Sequence, residues 1–194
     1  VLSSGDHLLI QDRLYGGTHD FATRDLAGFG IAFDFIDAER PETWAGKLRP
    51  STKAIYVETI GNPLMQVPDL ESVVVFARSR GLVSIIDNTF ATPINQRPLE
   101  FGVDGVLHSA TKYLGGHSDV VAGAVVTRSP RLFDRIWFTY KMLGPTLGPF
   151  DAFLVRRGVK SLPLRIRQQN ANATALAHFL EEHRSVKIVH FPGL

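Results

Sequence analysis

The sequence has 194 residues, enough for one sizeable domain with a hydrophobic core, and its 44% hydrophobic and 21% charged residues are typical of a globular protein. The formal net charge is only +2, from 21 basic and 19 acidic residues scattered along the chain, which argues against a nucleic-acid partner and favours a small molecule. Cysteine is absent, so disulfides, thiolate metal sites and a cysteine nucleophile are excluded.

The sequence also bears on where the protein works. It contains no apolar run of the roughly 18–20 residues that a membrane span needs. Val1–Leu9 lacks the basic start, apolar stretch and cleavage site of a signal peptide. We therefore expect a cytoplasmic protein. These first residues predict a turn that leads into a strand, as in the middle of a domain, so we expect the chain to begin inside a larger protein.

Short β-rich runs alternate with helical patterns along the first two thirds of the chain. Strands are predicted at Ile31–Phe35, Ala54–Val57, Val83–Ile86, Val103–Leu107 and Val120–Val126. Between the second and third of these, Asp69 is a helix N-cap, apolar residues recur at helical spacing, and Gly81 ends the helix. Repeated strand–helix–strand units predict an α/β fold, a mostly parallel sheet covered by helices on both faces.

The last third of the chain is predicted to be mainly helical. Helices are expected at Arg131–Met142, Phe150–Val159 and Leu164–His183, followed by a short strand at Val186–His190. No repeat, flexible linker or Walker-type glycine loop interrupts the chain, and the Gly-Phe-Gly string at 28–30 precedes a strand, the reverse of the dinucleotide-binding order. We therefore interpret residues 1–194 as one domain.

Polar side chains that could take part in catalysis or ligand binding lie at the ends of two of the predicted strands. Asp87 ends an apolar strand, and Ser109, Thr111 and Lys112 follow another, so both sets face one crevice of an α/β sheet. An aldehyde cofactor with a phosphate tail requires a lysine to form an imine, a carboxylate for its pyridine nitrogen and hydroxyls for its phosphate. The residues alone leave alternatives open, because a strand-end aspartate often caps a turn and a single lysine is commonly a solvated surface group.

Several longer strings occur in the order and spacing of a known family. They are YGGT (15–18), VETIGNP (57–63), IIDNTFATP (85–93), HSATKYLGGHSDVVAG (108–123), MLGPTLGPFDAFLVRRGVKSLPLR (142–165) and PGL (192–194). With them the sequence resembles the cysteine and methionine metabolism family of pyridoxal-phosphate enzymes over essentially its whole length. The resemblance implies the large, cofactor-binding domain of a fold-type I enzyme.

The resemblance also implies roles for individual residues. Lys112 would hold pyridoxal 5′-phosphate covalently and later move protons between substrate carbons. Asp87 would form a salt bridge with the pyridinium nitrogen, and Ser109 and Thr111 would bind the phosphate. Asn62 would form a hydrogen bond with the phenolic oxygen of the cofactor.

Three further residues are implied by the same motifs. Tyr15 would stack on the cofactor ring and act as acid and base for the leaving group, Glu58 would order the neighbouring loop, and Thr89 would pack against the cofactor. Simpler structural readings exist for two of the site residues. Tyr15 could be only a half-buried aromatic before a Gly-Gly turn, and Asn62 only a turn residue before Pro63.

The activity that the resemblance implies is trans-sulfuration, by γ-elimination or γ-replacement on cystathionine or an O-acylhomoserine. The alternatives within the family are methionine γ-lyase, homoserine sulfhydrylase and cystathionine β-lyase. GGHSDVVAG is closer to the cystathionine enzymes and methionine γ-lyases than to sulfhydrylases, while Gly17 stands where typical methionine γ-lyases carry a cysteine. The resemblance further implies a homo-oligomer, a dimer of dimers in which a neighbouring subunit completes the site. The family's N-terminal phosphate loop and C-terminal small domain lie outside the matched segment.

Two rival functions belong to other classes. His108, His117 and Asp119 could serve a metal-dependent hydrolase, although they lack the tight spacing of metal ligands. The chain could also be a non-catalytic binding fragment, which would bind no pyridoxal phosphate.

Overall fold

The computed structural model describes residues 1–194 and contains one six-stranded sheet. Its strands are β1 (His7–Gln11), β2 (Ala32–Ile36), β3 (Thr52–Glu58), β4 (Val83–Asp87), β5 (Gly105–Ser109) and β6 (Gly123–Val126). They lie side by side in the order β2-β1-β3-β4-β5-β6, all parallel except β6, which runs antiparallel to β5. The α/β prediction is confirmed, and each strand predicted between residues 31 and 126 overlaps an observed one.

Helices connect and flank these strands. They are α1 (Gly16–Asp20), α2 (Leu70–Ser79), α3 (Thr92–Asn95), α4 (Pro98–Phe101), α5 (Pro130–Leu143), α6 (Pro149–Val159) and α7 (Leu162–Glu181). A π-helical turn and a 3-10 turn continue α1 as far as Phe29, and another 3-10 segment spans Pro41–Lys47. The predicted start of α2 is confirmed, because the Asp69 side chain accepts a hydrogen bond from the backbone N–H of Glu71 at 3.0 Å.

The end of the chain differs from its prediction. Helices α5, α6 and α7 match the three predicted helices, but the predicted strand Val186–His190 is wrong, since this segment has no regular secondary structure. A β-strand exists only where a neighbour supplies backbone hydrogen bonds, and this segment pairs with neither edge of the sheet. Its β-branched residues alone do not make a strand.

The hydrophobic core lies on both faces of the sheet. Because successive residues of a strand point to opposite faces, each central strand contributes to two clusters. Leu9 and Ile55 belong to a cluster of 14 buried residues under α2 and Trp44, whereas Leu8 and Ala54 belong to a cluster of 7 under the α1 region. The prediction of helices on both faces is confirmed.

The C-terminal helices bury far less of their apolar surface. Exposed large hydrophobic side chains on α5–α7 are Phe133, Trp137, Phe138, Met142, Leu143, Phe150, Phe153, Val159, Leu164, Leu176 and Phe179. Even so, no helix of the chain combines the length and the apolar character needed to cross a membrane.

The strand order determines where a ligand site can form. The chain adds β2 on one side of β1 and β3 on the other, so the direction of winding reverses between β1 and β3. In open α/β sheets the crevice outside the carboxyl ends of the strands at such a reversal is the usual place for a ligand. The segments after β1, β3, β4 and β5 all reach this edge.

Candidate functional site

A cavity of about 280 Å³ lies at the carboxyl edge of the sheet. Most of its lining residues end or follow four parallel strands, and one, Val121, precedes the antiparallel strand β6. The others are Tyr15, Glu58, Ile60, Asn62, Asp87, Thr89, Phe90, Ser109, Thr111 and Lys112. All the residues that the sequence predicts for the cofactor site therefore line one cavity. Its size is close to the lower end of the range for small-molecule sites.

Asp87 is held by a donor on each carboxylate oxygen. Its Oδ1 accepts a hydrogen bond from the backbone N–H of Thr89 at 2.9 Å, and its Oδ2 accepts one from the hydroxyl of Tyr56 at 3.2 Å. The Oγ1 of Thr89 in turn accepts the backbone N–H of Ser109 at 2.8 Å. The ends of β4 and β5 are thereby joined, and the carboxylate is oriented at the cavity.

Glu58 links the segments that follow β1 and β3. This buried carboxylate accepts the backbone N–H of Tyr15 at 2.9 Å, while its own N–H donates to Oε1 of Gln11 at 2.9 Å. Burial, together with the charge of Asp87, raises the pKa of Glu58 to about 7, against the hydrogen bonds donated by the backbone of Tyr15 and Asn62. Glu58 thus holds two backbone segments that carry predicted cofactor contacts.

Tyr15 lies at the mouth of the cavity, and its side chain is 54% exposed. The ring rests against Gly17, so that a Cβ atom added to Gly17 would lie 2.6 Å from Cε1 of Tyr15. A side chain at position 17 would therefore push the ring aside. The glycine at this position determines where the tyrosine ring can lie.

Lys112 is in the turn that follows β5. Its backbone N–H donates to the carbonyl of Ser109 at 3.1 Å, and its carbonyl accepts the N–H of Gly116 at 2.7 Å. Neither Lys112 nor Asp87 takes part in an ion pair within the chain. An amine and a carboxylate of opposite charge therefore both line the cavity with their charges available to a ligand.

The two predicted phosphate-binding hydroxyls differ in their surroundings. Ser109 donates its backbone N–H to Thr89, and its hydroxyl makes no hydrogen bond within the chain, so this hydroxyl is available to a ligand. The hydroxyl of Thr111 accepts the N–H of Ala122 at 2.9 Å and donates to the carbonyl of the same residue at 3.2 Å. An anion that took a hydrogen bond from Thr111 would have to displace the bond to that carbonyl.

The residues of the alternative metal site are not assembled. His108 is buried, and its burial lowers its pKa, whereas His117 and Asp119 are exposed. His117 Nδ1 lies 2.8 Å from the carbonyl of Gly115. No group of three His, Asp or Glu side chains in the structure is arranged to hold a metal ion.

Several residues of this edge are absent from the predicted site. Phe90 and Val121 line the cavity, Gln11 supports Glu58, and the hydroxyl of Tyr56 reaches Asp87. Gln11 could have been found by the strand-end reasoning that pointed to Asp87, since it is the last residue of β1. Tyr56 carried no such signal, because an aromatic residue inside an apolar strand is usually part of the core.

Comparison with known protein families supports the family resemblance that the sequence motifs indicate. The model of one protein family, described as the Cys/Met metabolism PLP-dependent enzymes, matches residues 1–194. The chain belongs to this family. The family's cofactor is pyridoxal 5′-phosphate, and the amine, carboxylate, amide, hydroxyl and aromatic ring that meet in the cavity suit this molecule.

Similar proteins carry the names of different reactions. The chain is 45% identical over 194 residues to a probable cystathionine gamma-synthase of Herpetosiphon aurantiacus, covering 100% of the chain and 61% of the relative. It is equally 45% identical to a cystathionine beta-lyase of Lactococcus lactis, of which it covers 51%. The crystal structure of cystathionine gamma-lyase from Lactobacillus plantarum complexed with L-serine matches with a TM-score of 0.97 at 41% identity, covering 100% of this chain and 51% of that one. The chain thus spans about half to three fifths of the length of these proteins.

Proposed function

We propose that the full-length protein is a pyridoxal-phosphate-dependent trans-sulfuration enzyme, and that residues 1–194 are its large, cofactor-binding domain. The observation that carries this proposal is the cavity at the carboxyl edge, where Lys112 and Asp87 meet with neither charge paired inside the chain. When bound, pyridoxal phosphate supplies an aldehyde that reacts with amines and a ring that accepts electrons from the substrate.

The charged residues perform the central steps in this proposal. Lys112 Nζ anchors the cofactor. When the substrate amine releases it, this amine takes the proton from the substrate α-carbon and moves protons between substrate carbons. Asp87 holds the proton of the ring nitrogen, because a carboxylate beside this atom favours its cationic form. The free hydroxyl of Ser109 binds the phosphate, with Thr111 in support.

The remaining residues orient the reacting groups. Tyr15 stacks on the cofactor and exchanges a proton with the leaving group, and Asn62 binds the phenolic oxygen. Glu58 acts on both, since it accepts the backbone N–H of Tyr15 at 2.9 Å and is also hydrogen-bonded by the backbone of Asn62. Thr89 fixes Asp87 and Ser109 relative to one another through its two hydrogen bonds.

We place the reaction at the γ-carbon of cystathionine or an O-acylhomoserine, followed by capture of a thiol or release of a keto acid and ammonia. The absence of a side chain at Gly17, which allows the Tyr15 ring its position, supports this choice over methionine γ-lyase. Equal identity to a γ-synthase and a β-lyase gives no ground for choosing between those two reactions. Cystathionine β-lyase and homoserine sulfhydrylase are therefore outcomes of the test.

The cofactor assignment is tested by chemical labelling of the full-length protein. We expect the purified protein to be yellow, and borohydride reduction followed by peptide mapping to find the pyridoxyl group on Lys112. Lys112→Ala should lose the covalent link, while Lys160→Ala, which changes an exposed lysine outside the cavity, should retain it. A pyridoxyl group on another lysine would contradict the role of Lys112, and a pyridoxyl group on no lysine would favour the non-catalytic alternative.

The reaction is tested by product analysis. The full-length enzyme is given cystathionine alone, and separately an O-acylhomoserine together with cysteine or with sulfide. Cystathionine formed from the second mixture indicates γ-replacement, and cysteine with a keto acid and ammonia from the first indicates γ-elimination. Release of homocysteine with pyruvate would instead assign β-elimination and contradict our choice of carbon.

We also propose that the working enzyme is a cytoplasmic homo-oligomer, a dimer of dimers. The exposed aromatic residues of α5 and α6, such as Trp137 and Phe153, form apolar surface of the kind that marks protein contacts. Closed symmetric assembly is the common state of soluble oligomers. Sedimentation equilibrium combined with activity across a dilution series tests this, and full specific activity in a demonstrated monomer would overturn it.

A further inference from the structure

The hydroxyl of Tyr56 is a buried polar group inside an apolar cluster. Tyr56 is on β3, is 9% exposed, and packs with Leu8, Ile10 and Ala54 in the smaller of the two core clusters. Packing alone would be served as well by a phenylalanine. The hydroxyl is therefore present for its hydrogen bond, since a buried hydroxyl without a partner is costly.

The partner of this hydroxyl is Asp87. In the parallel register of β3 and β4, Tyr56 lies opposite Ile85 and Glu58 opposite Asp87, so the phenol extends along the neighbouring strand toward its carboxyl end. There it donates to Oδ2 of Asp87 at 3.2 Å. The hydrogen bond thus connects the core of the sheet to the edge of the cavity.

The bond supplies what the carboxylate lacks from its own strand. Oδ1 of Asp87 already receives the N–H of Thr89, two residues further along the chain, whereas Oδ2 receives only the phenol of Tyr56. With a donor on each oxygen the plane of the carboxylate is fixed, and lone pairs remain for a ligand in the cavity.

The surroundings keep the phenol a donor. Burial raises the pKa of Tyr56, and the negative charges of Asp87 and Glu58 raise it further, so the hydroxyl stays protonated at neutral pH. The hydrogen bond to Asp87 therefore keeps one direction, with the phenol as donor and the carboxylate as acceptor.

We propose that Tyr56 is a positioning residue for the cofactor, which fixes the orientation of the Asp87 carboxylate toward the ring nitrogen. The inference rests on the proposed function, since Asp87 is taken to pair with that nitrogen. Tyr56 itself does not line the cavity. It acts on the bound ring only through the carboxylate.

The test is a double-mutant cycle on the full-length protein with pyridoxal phosphate as the ligand. The dissociation constant is measured by titrating the cofactor-free protein, for the wild type, Tyr56→Phe, Asp87→Asn and the double variant. We expect Tyr56→Phe alone to weaken binding roughly tenfold, the low end for a hydrogen bond to a charged group. In the Asp87→Asn background, where the acceptor is neutral, the same change should cost less than about twofold.

Two further measurements separate this role from a structural one. Tyr140→Phe is the control, because it also removes one phenol hydroxyl but lies on α5 outside the cavity. The pH dependence of the bound cofactor's visible absorption should shift in Tyr56→Phe and stay unchanged in the control. Wild-type affinity in Tyr56→Phe, or a tenfold loss that persists in full beside Asp87→Asn, would overturn the proposal. Failure of the wild type to bind the cofactor would instead overturn the proposed function.

Discussion

The sheet region, residues 7–126, and the helical region, residues 130–181, differ in how far their apolar side chains are buried. The two hydrophobic clusters lie in the sheet region, where Leu9, Ile55, Val57 and Ile86 are fully buried. The helices α5–α7 bury only a few residues and leave many large apolar side chains in contact with solvent. The sheet region thus provides the internal core, and the helical region leaves most of its large apolar side chains exposed.

The two regions also contribute differently to the site. Every residue that lines the cavity comes from the sheet region, yet the turn that carries Lys112 is supported by the helical region. Gly158 of α6 approaches the backbone of Gly115 so closely that an added Cβ would overlap it, and the guanidinium of Arg165 lies against Gly116 and donates to the carbonyl of Gly158 at 2.9 Å. The helical region thus supports the turn that carries Lys112 and contributes no residue to the cavity lining.

The largest effect expected is on stability, from truncating the core of the sheet. Ile55→Ala should lower the free energy of unfolding by about 2–5 kcal/mol, because it leaves a cavity where the fully buried isoleucine side chain was packed. Leu176→Ala on α7, where the side chain is 56% exposed, should cost much less. Urea denaturation of both variants in the full-length protein measures the difference. Equal losses would mean that α7 is buried in the whole protein as deeply as the sheet core.

The next largest effect is expected on turnover, with little change in folding stability. Asp87→Asn should reduce turnover by about two orders of magnitude or more, as removal of one preorganised electrostatic group does elsewhere. Its stability should change little, since the amide has a similar shape and keeps an acceptor for the N–H of Thr89. Steady-state kinetics and thermal unfolding are measured on the same preparation. Near-normal turnover would show that another group supports the ring nitrogen.

The support given to Lys112 by the helical region can be removed with one methyl group. Gly158→Ala should weaken cofactor binding and lower the unfolding free energy by roughly 1–3 kcal/mol, because the new Cβ would overlap the backbone of Gly115 and either α6 or the turn must move. Gly46→Ala is the control, since a Cβ there meets no atom within 4 Å. Cofactor titration and urea denaturation report the two effects, and unchanged affinity in Gly158→Ala would show that the turn holds its position without α6.

The smallest effect is a change in the pH dependence of stability. The pKa of Glu58 is about 7 in the folded chain and near its ordinary value of 4.5 when unfolded, so its contribution to stability is complete below pH 4.5 and is lost as the pH rises through 7. Glu58→Gln removes this dependence. From pH 5 to pH 8 the unfolding free energy of the cofactor-free variant should therefore rise relative to wild type by about 2 kcal/mol. A constant difference between the two proteins would show that Glu58 does not titrate in this window.

Much of the fold was predictable from local sequence patterns. Alternating strand and helix signals gave the parallel sheet, and Asp69 with Gly81 marked the two ends of α2 correctly. The failure was the strand at Val186–His190, whose β-branched residues have no partner strand. Pairing is a property of the neighbour as much as of the segment, so propensity alone could not decide it.

For the site, the sequence by itself identified the polar residues that line the cavity at the carboxyl edge. A polar residue at the end of an apolar parallel strand, or in the turn after it, reaches the carboxyl edge of the sheet, and this rule points to Asp87 and Lys112 from the sequence alone. What only the tertiary structure decided is how these groups are held. The bond from Tyr56 to Asp87 depends on the register of β3 and β4, and the contact of Gly158 with Gly115 depends on how α6 packs. Both join residues far apart in the chain, and such contacts follow from the packing of whole elements, which no local pattern records.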